Sequence, residues 1–185
     1  MRGKKLAALV GVALAVAVSG CGGESSEREY ALPETFCGFE VPPNLYEPLF
    51  PAGKELTVGG EFSHDLASLL SDTCSYRVDG EPVVVSDGSP AELFEHYLRD
   101  EELSQSLDDG RQVEGRFDAQ VWPDLGLVRV PCVVPSGSSS FIETLTLGVR
   151  APAIDGDDQR RILGELVQSY MTAVAEFLPC EESGG

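Results

Sequence analysis

The chain opens with one continuous apolar run and afterwards shows only short periodic ones. Residues 6–18 are thirteen apolar or Gly residues without a break. A helix that crosses a bilayer needs roughly 20, so the run is too short for a lasting span. Beyond residue 36, apolar positions recur at helical or strand periods. Leu45, Leu49 and Phe50, set among prolines, predict one or two helical turns. Residues 55–60 predict a strand. Residues 63–71 fit two readings: Leu66, Leu69 and Leu70 suit a short helix, whereas Gly59 and Gly60 nearby suit a loop. Residues 74–78 and 82–86 flank Asp79-Gly80, the signal of a tight hairpin. Ser89, Pro90 and Glu92 predict a helix start, with a hydroxyl cap, a proline in the first turn and a glutamate completing the box. Leu93, Phe94, Tyr97 and Leu98 then share one face.

A strand-rich block follows. Phe117, Ala119 and Val121 alternate with Asp118 and Gln120. Val128, Val130 and Cys132 share one face of a second strand, and Leu145, Leu147 and Val149 one face of a third. Period-two alternation implies a sheet with one face covered. Pro131 argues against full pairing on both sides at its own position. The last element is a long amphipathic helix. Asp157 or Asp158 caps or complements its start. Ile162, Leu163, Leu166, Val167, Tyr170, Met171, Val174, Phe177 and Leu178 trace its apolar stripe, and Pro179 ends it. The expected fold class is α+β: a mostly antiparallel sheet covered by helices, the C-terminal one long.

The first apolar run belongs to export rather than to the fold. Arg2, Lys4 and Lys5 precede it, and Val18, Ser19, Gly20 and Cys21 end it. This closely resembles the bacterial lipobox, in which small residues precede a cysteine. The resemblance implies diacylation of the Cys21 thiol with palmitate-type chains and cleavage before it. It also implies attachment at the outer face of the cytoplasmic membrane. The expected organisation is a signal peptide at 1–20, a flexible tether at 21–35, one α+β domain at 36–180 and a disordered tail at 181–185. The tether stretch is small, polar and charged.

Composition then narrows the partners. Without the three cations of the export segment, ten Lys and Arg stand against 31 Asp and Glu, a net charge of −21. Nucleic acid needs a basic surface to replace its counterions, so it is excluded as a partner class, and anionic lipid is repelled. Cations, basic proteins and neutral ligands are favoured, and a well-solvated exported surface explains the same charge. After Cys21 four cysteines remain: Cys37, Cys74, Cys132 and Cys180. In an oxidising compartment an even count implies two disulfides, with three connectivities open. The favoured one is Cys37–Cys74 with Cys132–Cys180, since each pair ties a terminal segment to a strand.

Candidate chemistry is sparse. No Gly-x-Ser-x-Gly occurs. Ser138, Ser139 and Ser140 sit in a Pro-Ser-Gly-Ser-Ser-Ser stretch that suits a turn. His64 and His96 are the two histidines. His64 adjoins Asp65, while His96 follows Glu95 inside the expected helix. Thirty-two residues apart, they lack a zinc spacing. Asp108-Asp109-Gly and Asp155-Gly-Asp-Asp could hold Ca²⁺ through oxygens, but without the spaced ligands of an EF-hand they suit a turn and a helix cap. Glu101-Glu102 and Glu181-Glu182 read as solvated. Gly59-Gly60 and Gly126 form no phosphate loop. Trp122 suits the core or a stacking rim, and Tyr30 and Tyr46 suit a lined surface. No cofactor is expected.

Taken together, the lipobox, the acidic tether, Cys37-Gly38, the cysteine before the Val-Asp-Gly hairpin, Pro131-Cys132 and a terminal helix ending in Cys180 resemble the uncharacterised lipoproteins of high-GC Gram-positive actinobacteria. Some of these resemble a PsbP-like α/β/α sandwich used for binding. The resemblance carries over no catalytic residue. The expected role is a membrane-anchored binding or scaffold module, not an enzyme. The alternatives are a cell-envelope hydrolase using His64 or His96, and a small-ligand binder associated with a transporter.

Overall fold

The computed structural model describes residues 27–90, 109–136, 140–151 and 157–178. Strands run over Leu56–Gly59 (β1), Thr73–Val78 (β2), Glu81–Pro90 (β3), Arg111–Val113 (β4), Asp118–Val121 (β5), Leu125–Ser136 (β6) and Ser140–Arg150 (β7). They pair antiparallel in one sheet of order β1-β2-β3-β7-β6-β5-β4. Two meanders meet at its centre: β1 to β3 from one edge and β4 to β7 from the other, joined where β3 pairs β7. Helices occupy Pro43–Tyr46 (α1), Leu66–Ser71 (α2) and Asp157–Ala175 (α3), with a 3₁₀ turn at Glu47–Leu49.

Local chemistry accounts for most of these elements. The Asp79-Gly80 turn has φ of 52° and 87°, both left-handed, as a two-residue hairpin that matches strand twist requires. The Asp79 carboxylate accepts the Lys54 and Glu55 amides at 3.0 and 2.9 Å, tying β1 to the hairpin. The segment with two readings is helical. Asp65 caps α2 by accepting the Ser68 amide at 2.9 Å. Pro131 pairs with Thr144 beyond the end of β5, and the β6–β7 register shifts immediately after it. Its missing N–H therefore faces a side that β5 does not pair.

The long helix covers the sheet with the greater part of its stripe, and ends at Ala175, before Phe177 and Leu178. Leu163, Leu166, Val167, Tyr170, Met171 and Val174 are fully buried, each contributing roughly 1.5–3 kcal/mol relative to exposure. They lie over β5, β6 and β7. Gly126 makes the close approach possible, since a Cβ there would stand 2.8 Å from the Val167 side chain. Under the helix's second half lies an aromatic cluster. Phe36 lies 5.1 Å from Tyr170, 5.5 Å from Tyr46 and 5.9 Å from Tyr76, ring to ring, and Phe50 lies 5.2 Å from Tyr76. The Cys37–Cys74 disulfide, with Cα atoms 5.6 Å apart, is buried beside it. Cys132 is also buried and disulfide-bonded; its expected partner Cys180 lies outside the described residues.

Ser89 and Pro90 extend β3 and pair with Thr146 and Leu145 of β7; the helix expected to follow them lies outside the described residues. Three expectations change. Residues 28–35, counted with the tether, are held on the domain. Arg28 bonds the Phe50 carbonyl at 2.7 Å and pairs with Glu47 at 3.1 Å, and the Glu29 amide donates to Gly53 at 2.8 Å. Tyr46 is not a surface residue; it is fully buried and its hydroxyl donates to Pro33 at 2.7 Å. The sheet is also buried on more than one face at its centre. Leu125, Leu127 and Thr146 point away from α3, yet none exceeds 4% exposure. Trp122, at 3%, belongs to the core.

Candidate functional site

Three places in the described structure gather polar or exposed chemistry. The first is His64. Its Nε2 lies 2.8 Å from the Gly38 carbonyl, and its ring stacks on Phe177 at 4.0 Å and 29°, with Phe39 5.0 Å away. Asp65, its sequence neighbour, is committed to capping α2. Ser68 in turn accepts the Ser63 amide and donates to Asp72 at 2.6 Å. A histidine–aromatic stack results, with Phe177 47% exposed. His96 lies outside the described residues, as do Ser138 and Ser139, Asp108, Asp155, and the Glu101-Glu102 and Glu181-Glu182 pairs. Among the described residues no group of three or more His, Cys, Asp or Glu converges to hold a metal ion.

The second place is a groove of about 400 Å³ between the β4–β5 connection and α3. The Gln168 amide builds it by gripping the backbone of Phe117 twice: Oε1 accepts its N–H at 3.0 Å, and Nε2 donates to its carbonyl at 2.7 Å. Gly115 lies against that amide, so the connection sits flat on the helix. Glu114 and Arg116 form one wall and Glu165, Ser169 and Thr172 the other. The Arg116 guanidinium lies 5.0 Å over the Phe117 ring. Two carboxylates, two hydroxyls and one guanidinium thus line a surface whose backbone is pinned at both ends. Such an arrangement offers hydrogen-bond donors and acceptors, with carboxylates in excess over the single guanidinium. None of these residues stands out in the sequence, because polar positions on an amphipathic helix read as solvated. The faint signal is Gly115 inside Val-Glu-Gly-Arg-Phe, where a strand connection needs room against a helix.

The third place is a cavity of about 10 Å³ on the sheet face away from α3, lined by Asp87, Ser89, Leu125, Leu127, Thr146, Gly148 and Arg150. That volume is at the lower limit for one water molecule. Thr146 Oγ1 is buried there without a hydrogen-bond partner. A buried hydroxyl that gains no bond costs about 1–3 kcal/mol. Thr146→Val keeps the shape and removes the hydroxyl, so it is expected to raise stability in urea unfolding by about 1 kcal/mol. A loss of stability instead identifies the hydroxyl as bonded to a water held in the cavity.

Phenols in the core are shifted by burial. Burial pushes the Tyr76 phenol up to about 12, against the Cys37 amide, which donates to its oxygen at 2.6 Å. Burial pushes Tyr170 up as well, opposed by its bond with Ser86. Both stay protonated in the folded protein across the physiological range and act as packing groups.

Comparison of the chain with protein-family models, with curated proteins and with solved structures finds no match. No helix among the described residues is long and apolar enough to cross a membrane.

Proposed function

We propose that the protein is a lipid-anchored extracytoplasmic binding module. Cys21 holds it at the outer face of the cytoplasmic membrane, and the groove between the β4–β5 connection and α3 receives a basic or neutral hydrogen-bonding partner. The single observation that carries the binding role is the groove itself, walled by Glu114, Glu165, Ser169 and Thr172 and pinned by the double Gln168–Phe117 bond. Its carboxylates agree in sign with the net charge of −21 left after export processing, which turns nucleic acid away and favours cations. The lipobox-like end of the first apolar run supports the anchor. The buried Cys37–Cys74 bridge is in keeping with an oxidising compartment, and Cys132 joined to Cys180 completes the pair in this proposal. The likeness to actinobacterial lipoproteins supports the same role and assigns no turnover.

A photoreactive residue placed at Ser169 in cells tests the groove against one placed at the exposed Glu40. A discrete adduct at 169 that is missing at 40 is the expected result. Identical adduct patterns at both positions would remove the groove as the binding surface.

A further inference from the structure

The first contacts among the described residues bear on which way the domain faces. This inference rests on the proposed anchor at Cys21. Seven Cα steps separate Cys21 from Arg28, a reach of at most about 25 Å. From Arg28 onward the chain is fastened: Arg28 to Glu47 and Phe50, Glu29 to Gly53, and the Tyr30 hydroxyl to the Pro51 carbonyl. Gly53 is followed by Lys54 and Glu55, whose amides bond the carboxylate of Asp79 in the β2–β3 turn. The point of attachment is therefore the hairpin end of the sheet.

The His64 stack lies at the other end of β2 from this attachment. β2 climbs from Val78 to Cys74, where the disulfide joins Cys37. Beyond it sit Gly38, His64 and Phe177 in one stack. A tether fastened at the hairpin end holds that end within about 25 Å of the bilayer, and no comparable hold acts on the end that carries His64 and Phe177.

We infer that the molecule stands on the lipid headgroups with its Asp79-Gly80 hairpin end toward the bilayer and turns the His64–Phe177 end outward. The hairpin end suits a headgroup surface rather than the hydrocarbon. Lys54 and Arg77 are exposed there beside Glu55 and Glu81. The large hydrophobics exposed among the described residues, Val58 and Phe177, lie elsewhere. Both charge signs at one end match zwitterionic phosphate and amine groups, and nothing there wedges between acyl chains. The His64–Phe177 stack is then the part of the described surface most accessible from the cell wall side.

The test uses the lipidated full-length protein reconstituted in phosphatidylcholine vesicles that carry an acceptor dye on the headgroups. Donor dyes are attached to Glu81→Cys at the hairpin end and to Glu176→Cys at the far end, in separate proteins. Flotation and the intact mass of the N-terminal peptide are measured first. Protein that floats and carries acyl groups should show severalfold greater energy transfer from position 81 than from position 176. Inserting about 20 Gly and Ser residues after Gly23, which adds roughly 65 Å of maximal reach, should collapse that difference. Floating protein with equal or reversed transfer overturns the orientation and leaves the anchor standing. Protein that neither floats nor carries lipid overturns the anchor and the orientation with it.

Discussion

Cys21→Ala is expected to empty the membrane fraction of this protein. One acyl chain gives only marginal membrane binding, with an association constant near 10⁴ M⁻¹, whereas two chains hold a protein stably. Each buried CH₂ contributes about 0.8 kcal/mol, so in the proposed anchor the Cys21 thiol controls more free energy of location than any contact in the domain. The residues before it cannot take over: a run of thirteen apolar positions falls short of the roughly 20 needed to span. The variant should appear in the medium or persist as an uncleaved precursor. Membrane fractionation together with intact mass distinguishes these outcomes. A variant that stays membrane-bound and is processed at the normal position would show that lipid is not attached here.

The largest expected effect on folding comes from Cys37→Ala combined with Cys74→Ala. The bridge closes a loop of sequence separation 37, and restricting such a loop in the unfolded chain contributes about 4 kcal/mol. Both cysteines are fully buried, so their removal also loosens the packing beside Phe36 and Tyr76. A loss of about 4 kcal/mol is a large part of the 5–15 kcal/mol that holds a domain together. The midpoint in guanidinium should fall steeply. A double variant within about 1 kcal/mol of the parent would show that the cross-link is dispensable. Backbone geometry sharpens the expectation. Cys37 has φ of 54°, Gly38 has φ of 89°, and Phe36 and Phe39 exchange backbone bonds at 2.9 and 3.1 Å across them. This is a two-residue left-handed turn, in which a non-glycine residue is strained by about 1–2 kcal/mol. Cys37→Gly with Cys74→Ala should therefore lose less stability than the double alanine variant.

The two X-Gly turns show where local chemistry can be read and where it is hidden. Asp79-Gly80 announces itself because two strand-like runs flank it. Cys37-Gly38 adopts the same left-handed pair, but Phe36 and Phe39 form an isolated bridge with no strand pattern around them. Likewise, the burial of β6 on both faces leaves a trace in the unbroken apolar stretch of residues 125–128, which outweighs the alternation around it. Ser89 and Pro90 join β3 because β7, more than fifty residues later, supplies their ladder partners. The tether shows the same dependence: residues 28–35 look like linker, and partners such as Tyr46, Glu47, Phe50, Pro51 and Gly53 hold them.

Sequence alone determined the features that rest on neighbours along the chain. These are the long amphipathic helix, the Asp79-Gly80 hairpin, the alternating strands, the short helix within residues 63–71 as one of two readings, and the excess of acidic charge. Each depends on a period, a turn residue or a composition that a few adjacent positions contain. Tertiary structure decided everything that joins distant segments. It placed β7 beside β3, gathered Phe36, Tyr46, Tyr76 and Tyr170 around one disulfide, and closed the Gln168 amide on the backbone of Phe117. The physical reason is that such contacts arise where separate elements pack, and the residues that make them carry no mark of their partner in the order of the chain.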